Sequence, residues 1–319
     1  MRLIIRTDAS PSVGAGHFMR SSTIAEEFLS LGHEVCFVGK IDPLNLIIER
    51  FQELGLGFAV ADPEEFRTDN KNDILLIDSY SVPTSDPFIT RENWFKTVSI
   101  SDSITPKYDV DLIIKPSLIT TTGQNGGSRI LSGPEYIMLR SSITQNRPQA
   151  TTGTVPMKIL VVGGGSDPSG FCNAVVEALA RSPYEFVADV FSDNFDRGLQ
   201  ADQRIRIHKV SLQIEDYARD CDLALTLAST LAIELIARGV PIGIASAFEN
   251  QISGAQEMLS LGLAAPIGNR DTSGTWIIDS AILHVLITSE TFRNNLRSKV
   301  SGLIDRLGAH RVALEILSL

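Results

Sequence analysis

The sequence is poor in cysteine: three in 319 residues, Cys36, Cys172 and Cys221, far apart and set among apolar neighbours. No CxxC or zinc-type spacing is present. This excludes a disulfide-stapled or zinc-ribbon scaffold and reads as reduced, buried thiols of a cytoplasmic protein. No uncharged apolar stretch approaches ~20 residues, so neither a membrane-spanning helix nor membrane insertion is expected. The opening residues, MRLIIRTD, meet charge at once and offer no signal-peptide core. Positive charge is also scarce. The formal net charge is −10, and a phosphate backbone needs clustered Lys and Arg, so nucleic acid is not expected as a partner. One small anion stays compatible, because backbone N–H groups bind phosphate even in an acidic protein. The five histidines form no HxH or HxxxH pair, so no metal site and no cofactor are expected. Walker and GxSxG loops are missing as well.

What is present is ordinary globular composition, 43% apolar and 21% charged, in a chain long enough for two compact domains. The run Leu3-Ile4-Ile5 reads as a buried strand, followed by a glycine-rich loop and a helix from about Phe18 to Leu31. Ile24, Phe28 and Leu31 fix its buried face, and Gly32 is a stop signal. Glu34 to Val38 is the next strand, which completes the start of a parallel sheet. Short continuous apolar runs at 74–77, 96–100 and 111–114 suit strands covered on both faces. Residues 146–156 are polar and aperiodic and read as a linker between an N-terminal domain, 1–145, and a C-terminal domain, 157–319. The second part restarts with a strand at 158–162, the loop Gly163-Gly164-Gly165 and a helix from about Ser169 to Arg181. Strands are expected at 186–191, 205–209, 222–226 and 240–245. Helices are expected at 212–219, 230–238 and 252–261, then near 277–287 and 290–317. The fold class is therefore α/β, two Rossmann-like domains with a ligand cleft between them.

Four places carry candidate chemistry. Gly14-Ala15-Gly16-His17 follows a strand and opens a helix, so its backbone can approach an anion. It is not the dinucleotide fingerprint, because Met19 stands where the third glycine would be. His17 reads equally as a neutral base at the strand-end side or as a ring that braces the loop. Ser229-Thr230 before a helix reads as a cap or as a diphosphate grip. Glu234, one turn on, reads as a ribose ligand or a solvent-facing carboxylate. Phe248-Glu249-Asn250-Gln251 offers amides for sugar hydroxyls or turn residues. Asp78-Ser79-Tyr80 ends a strand at the functional edge.

In order along nearly the whole chain, these segments resemble the pseudaminic acid pathway hydrolase family. The carriers are Arg6 to Ser10 with Gly14, Gly16, His17 and Arg20, then Ile77-Asp78-Ser79-Tyr80, Gly133-Pro134-Glu135-Tyr136 with Leu139-Arg140, and Gly163 to Pro168. Ser229-Thr230 with Glu234, Asn250-Gln251, Leu261-Gly262 and Leu307 to Val312 complete it. The sequence departs from the family at Ser101-Asp102-Ser103, where it has a paired Asp-Asp, at Lys115 for an Asn, and at Leu227-Ala228 for a Gly-Gly.

The resemblance implies a glycosyltransferase-B type fold, like the lipid II-forming N-acetylglucosaminyltransferase. It implies metal-independent hydrolysis of UDP-2,4-diacetamido-2,4,6-trideoxy-β-L-altropyranose with release of UDP. His17 would be the base, with Tyr80 and Asn250 completing the catalytic set. Asp8, Gly14, Gly16, Arg20 and Gln251 would bind substrate, and Gly164, Gly165, Ser229, Thr230 and Glu234 the nucleotide. The expected partner is a UDP-sugar, with the oligomeric state left open. The rival readings are a glycosyltransferase of the same fold and a non-catalytic nucleotide-sugar-binding subunit.

Overall fold

The computed structural model of the chain describes residues 1–68, 72–102, 107–121, 127–145, 156–196, 202–300 and 302–319. The chain divides into two units, Met1–Ser141 with Ile304–Leu319, and Ser142–Leu303. Pro156 apart, the expected linker at 146–156 lies outside the described residues.

Unit 1 contains β1 (Arg2–Thr7), α1 (Gly16–Ser30), β2 (Glu34–Val38), α2 (Asn45–Glu53), β3 (Val60–Ala61), β4 (Asp73–Asp78), β5 (Lys96–Ile100), β6 (Leu112–Pro116) and β7 (Arg129–Gly133). The short α3 (Ser141–Gln145) spans the boundary with unit 2. The seven strands form one sheet in the order β3-β2-β1-β4-β5-β6-β7, and every pairing is parallel. Runs such as Ile74-Leu75-Leu76-Ile77 are buried without a break, because helices and loops cover both faces of a parallel sheet. The order reverses between β1 and β4, which makes that edge the topological switch point.

Helix α1 buries Phe18, Ile24, Ala25 and Phe28. It ends where Gly32 takes φ 79°, with the His33 amide bonded to the Phe28 carbonyl and the Gly32 amide to that of Leu29. That pattern closes a helix and favours glycine at the left-handed position. Phe18 of α1, Phe37 of β2 and Phe51 of α2 meet with ring centroids 5.1–5.3 Å apart. Truncating one of these buried rings to Ala costs roughly 3–5 kcal/mol. The buried Arg50 ties α2 to α1, with Nε 2.9 Å from Ser22 Oγ and Nη2 2.7 Å from Glu26.

Unit 2 contains β8 (Met157–Val162), α4 (Phe171–Ala180), β9 (Phe186–Phe191), β10 (Ile205–His208), α5 (Ile214–Asp220), β11 (Leu223–Leu227), α6 (Thr230–Arg238), β12 (Ile242–Ala245), α7 (Ile252–Ser260) and β13 (Ala264–Pro266). The hairpin β14 (Gly268–Arg270) and β15 (Trp276–Ile278) follows, then α8 (Ser280–Thr288) and α9 (Glu290–Val300). Its sheet runs β10-β9-β8-β11-β12-β13, again all parallel, and its switch point lies between β8 and β11. Phe171, Val175, Phe186, Val190, Leu225 and Leu286 form part of its core.

Three expectations need correction. The helix expected near 277–287 begins only at Ser280, because Trp276–Ile278 is paired as a strand and Asp279 caps the helix by accepting from the Ala281 and Ile282 amides. The single helix expected at 290–317 is two, α9 and α10 (Gly308–Leu317), separated by a stretch where Gly302 has φ 82° and Arg306 φ 71°. Residues 157–319 do not form one domain, since α10 belongs to unit 1. There Ala309, Val312, Ala313 and Ile316 are buried, and a Cβ on Gly308 would lie 2.1 Å from the Ile137 carbonyl oxygen. Only glycine allows that approach.

Candidate functional site

In unit 1 the chemistry gathers at the β1–β4 edge. His17 stands in the first turn of α1 and Arg20 one turn later, an i, i+3 pair on one helix face. Both reach Asp78, the last residue of β4, whose side chain is fully buried. His17 Nδ1 lies 2.6 Å from Asp78 Oδ1. Arg20 donates to both oxygens of the same carboxylate, at 2.8 and 2.7 Å, and from Nη1 to Asp102 at 2.6 Å. The Tyr80 hydroxyl donates to the other oxygen of Asp102. The Tyr80 ring meets His17 edge-on at 4.3 Å.

Burial alone would raise the Asp78 carboxyl, but the positive charge of Arg20 and the His17 ring hold it below its ordinary value. Asp102 is likewise pushed up by burial and pulled down further by Arg20 and Tyr80, to about 2. Burial works against the Arg20 charge, yet Asp102 and Asp78 raise it well above its usual range. Asp78 is therefore ionised and offers only lone pairs, so in the neutral ring Nδ1 donates and Nε2 keeps its lone pair. A carboxylate that fixes the imidazole tautomer in this way prepares the opposite nitrogen to take a proton.

Asp8 occupies the same edge but works internally. Its Oδ1 accepts from Arg6 at 2.6 Å and the Lys40 amide at 2.9 Å, and its Oδ2 from Ser79 at 2.8 Å and Ser81 at 2.6 Å. Burial raises this carboxyl, while Ser81, the Lys40 amide and Arg6 outweigh it and bring it to about 2. With both oxygens filled, Asp8 binds the loop after β1 to the loop after β4, where the resemblance gave it to substrate. Lys107 and Tyr108 hold that second loop through the Tyr80, Ser79 and Val82 carbonyls. Gly14 turns the first loop at φ 83° and bonds back to Ser10, and Gly16 is exposed at the start of α1.

Unit 2 carries the remaining candidates. The loop after β8 holds Gly164, at φ 97°, and Gly165. Its helix is closed from within: Asp167 accepts from the Phe171 amide at 2.9 Å and the Cys172 amide at 3.0 Å. The helix after β11 is different. Ser229 is the N-cap of α6 but its side chain makes no capping bond. The Ser229 hydroxyl oxygen is buried with no hydrogen-bond partner among the described residues. Thr230 opens α6, and Glu234 is buried at 5% exposure rather than facing solvent. Asn250 is exposed in the turn after β12. Gln251 is half spent, its carbonyl accepting from the Ala247 amide at 2.8 Å. Among the described residues no group of three or more His, Cys, Asp and Glu is arranged to hold a metal ion, and no helix is long and apolar enough to cross a membrane.

The structure thus brings His17, Arg20 and Tyr80 together in unit 1 and leaves Ser229, Thr230, Glu234, Asn250 and Gln251 in unit 2. The sequence pointed to Asp78 as part of a strand-end segment but gave it no role, and met Asp102 only as a departure from the family pattern. The signal for the first was its position, an acid at the end of a strand beside the switch point.

No family model matches the chain. It is 22% identical over 267 residues to an uncharacterized protein of Methanocaldococcus jannaschii, covering 76% of this chain and 55% of that one. It is 26% identical over 199 residues to the spore coat polysaccharide biosynthesis protein SpsG of Bacillus subtilis, covering 59% of this chain and 58% of that one. The matches thus span little more than half the length of these relatives. Among solved structures, MurG of Acinetobacter baumannii matches with a TM-score of 0.64 at 13% identity, over 100% of this chain and 99% of that one. The spinosyn forosaminyltransferase SpnP matches at 0.61 and 12% identity, over 99% of each. The fold is of the glycosyltransferase-B type, two Rossmann-like α/β domains with parallel sheets.

Proposed function

We propose that the chain is an enzyme acting on a nucleotide-activated sugar, and that it hydrolyses a UDP-linked diacetamido-trideoxy sugar, UDP-2,4-diacetamido-2,4,6-trideoxy-β-L-altropyranose, releasing UDP and the free sugar. The supporting observation is the His17–Asp78 pair at the switch point of unit 1. Nε2 takes a proton from water, the oxygen attacks the anomeric carbon, and the bond from that carbon to the diphosphate oxygen breaks. Attack opposite the leaving group inverts the anomer. Unit 2 holds the UDP: the uncapped start of α6, with Ser229 and Thr230, faces the diphosphate charge that grows as the bond breaks, and Glu234 takes the ribose hydroxyls. The biosynthetic description of the Bacillus subtilis relative agrees with a sugar-modifying role.

The second reading is a glycosyltransferase, in which the same base deprotonates an acceptor hydroxyl. The matched solved structures favour it, since SpnP and others are described as glycosyltransferases. Incubation with this UDP-sugar in water alone separates the two. UDP release without acceptor, giving an inverted anomer, supports hydrolysis; release only after an acceptor is added supports transfer and overturns the hydrolase.

A further inference from the structure

We infer that Asp102 is a positioning residue that keeps Arg20 from capturing the imidazole nitrogen on which the His17 base depends. The inference rests on the role proposed for His17. Asp102 is joined to both neighbours of the ring. It accepts from Arg20 on Oδ1 and from Tyr80 on Oδ2, and these are the guanidinium that shares Asp78 with His17 and the ring that meets it edge-on.

The critical spacing is that Arg20 Nη2 lies 3.2 Å from His17 Nδ1. A guanidinium has donors only. If Nη2 donated to Nδ1, the neutral ring would carry its proton on Nε2, and no lone pair would remain to receive one from water. Two carboxylates compete with Nδ1 for the guanidinium. Asp102 holds Nη1, and Asp78 holds Nε and Nη2.

Charge points the same way. Asp78, Asp102 and Arg20 sum to one negative charge beside His17, matched to the imidazolium that forms when Nε2 is protonated. Among the described residues, Asp8 at this edge is paired with Arg6, and Lys107 donates to the Tyr80 and Val82 carbonyls. Without the Asp102 charge the sum is zero, and an arriving proton makes it positive.

The test is Asp102→Asn in the full chain, which keeps size and removes charge. Histidine labelled with ¹⁵N reports the tautomer of His17, assigned by its loss in His17→Ala. The parent is expected to show the Nδ1–H form, and Asp102→Asn a mixture in which Nε2–H is prominent. UDP release from the diacetamido-trideoxy UDP-sugar should fall about 10- to 100-fold, while UDP affinity stays within about twofold because UDP is assigned to unit 2. An unchanged tautomer in Asp102→Asn, or an Nε2–H ring in the parent, overturns the inference. If the parent releases no UDP from this sugar but the tautomer shifts in the variant, the proposed hydrolysis fails and the positioning role stands. Should Asp102→Asn fail to fold, Tyr80→Phe removes only an oxygen from a half-exposed ring. A smaller tautomer shift in the same direction supports the inference, and none overturns it.

Discussion

In unit 1 the two strands that flank the switch point, β1 and β4, end in Thr7 and Asp78; in unit 2 their counterparts, β8 and β11, end in Val162 and Leu227. The strand order is the same across six positions, yet the chemistry is distributed differently. Unit 1 concentrates charge after its first strand and at the end of its fourth, with α1 supplying His17 and Arg20 to an acid on β4. The connection from β4 to β5 contains only short 3₁₀ turns, at Pro87–Ile89 and Arg91–Asn93, so no α-helix terminus stands there for an anion. Unit 2 does the reverse. Its first helix, α4, is closed by Asp167, and the helix after its fourth strand, α6, starts uncapped. One topology thus yields an edge of paired charges, to which we assign proton transfer, and an edge with an uncapped helix start, to which we assign the diphosphate.

The largest effects should come from breaking the charged edge. His17→Ala is expected to lower UDP release by ~10²–10⁴-fold while leaving UDP binding nearly unchanged. Asp78→Asn should act on the same order, because it replaces the carboxylate that fixes the tautomer by an amide that can turn a donor to the ring. It should also destabilise unit 1, since Arg20 loses a buried partner and such a loss costs about 3–5 kcal/mol. Turnover, UDP titration and a melting curve on each variant check this together. A folded His17→Ala chain with parental turnover would reduce His17 to a loop-bracing ring.

The α6 edge predicts the opposite pattern. Glu234→Gln should weaken UDP binding about tenfold, the loss expected when a charged acceptor becomes neutral. Turnover at saturating substrate should stay near the parental rate, because ribose bonds are made alike in ground and transition states. Isothermal titration with UDP, set beside kcat, reads both quantities. Unchanged UDP affinity would make the buried Glu234 a packing residue of α6.

Acid should separate the two units. Asp8 and Asp102 are both held at about 2, and Asp78 is lowered as well. A carboxyl lowered by folding contributes stability that is present above its unfolded value, ~4, and lost as pH falls toward about 2. Asp167 runs the other way. Burial raises it against its amide and hydroxyl bonds, so its contribution is present at low pH and fades as pH rises through the raised value. Amide exchange between pH 5 and 3 should therefore show amides around Asp8 and Asp78 losing protection before those at the start of α4. Equal loss in both places would mean that the charged edge adds nothing to the stability of unit 1.

Much of this architecture was legible in residues that act locally. Ile74 to Ile77 and Lys158 to Val162 announced parallel strands because two-sided burial needs continuous apolar runs, and Gly32 announced the end of α1. Strand β7 was not found, because Arg129-Ile130-Leu131-Ser132-Gly133 holds two large apolar residues and draws its burial from β6. Helix α2 was missed although Ile47 and Phe51 sit at i, i+4, since the third buried position is Arg50, which reads as exposed until Ser22 and Glu26 are beside it. The return of α10 to unit 1 depends on where Gly308 meets Ile137, a contact across 171 positions that no local pattern encodes. At the site, His17 and Tyr80 stood out by type and position. Asp102 did not, because its role exists only through Arg20 and Tyr80, which the fold brings to it.

The smallest expected effect concerns the closed helix of unit 2. Asp167 sits at φ 51°, a conformation that Asp and Asn tolerate better than most residues, so Asp167→Asn isolates the cap from the backbone. The amide oxygen can keep one of the two bonds to the Phe171 and Cys172 amides, while the NH₂ would face the other donor. Loss of one capping bond costs on the order of 1 kcal/mol. Relief from burying a carboxylate offsets part of that cost. The balance should depend on pH. Asp167 is favoured in its neutral form by burial, so the parent's advantage over the non-titrating variant should be largest in acid and shrink as pH rises through the raised carboxyl value. Exchange of α4 amides in parent and variant at pH 4 and pH 7 measures this, and turnover should not change, since the proton transfer is assigned to residues of unit 1. An advantage that grows toward neutral pH would mean that Asp167 caps α4 as a stable carboxylate, and the two switch points would then differ in position alone.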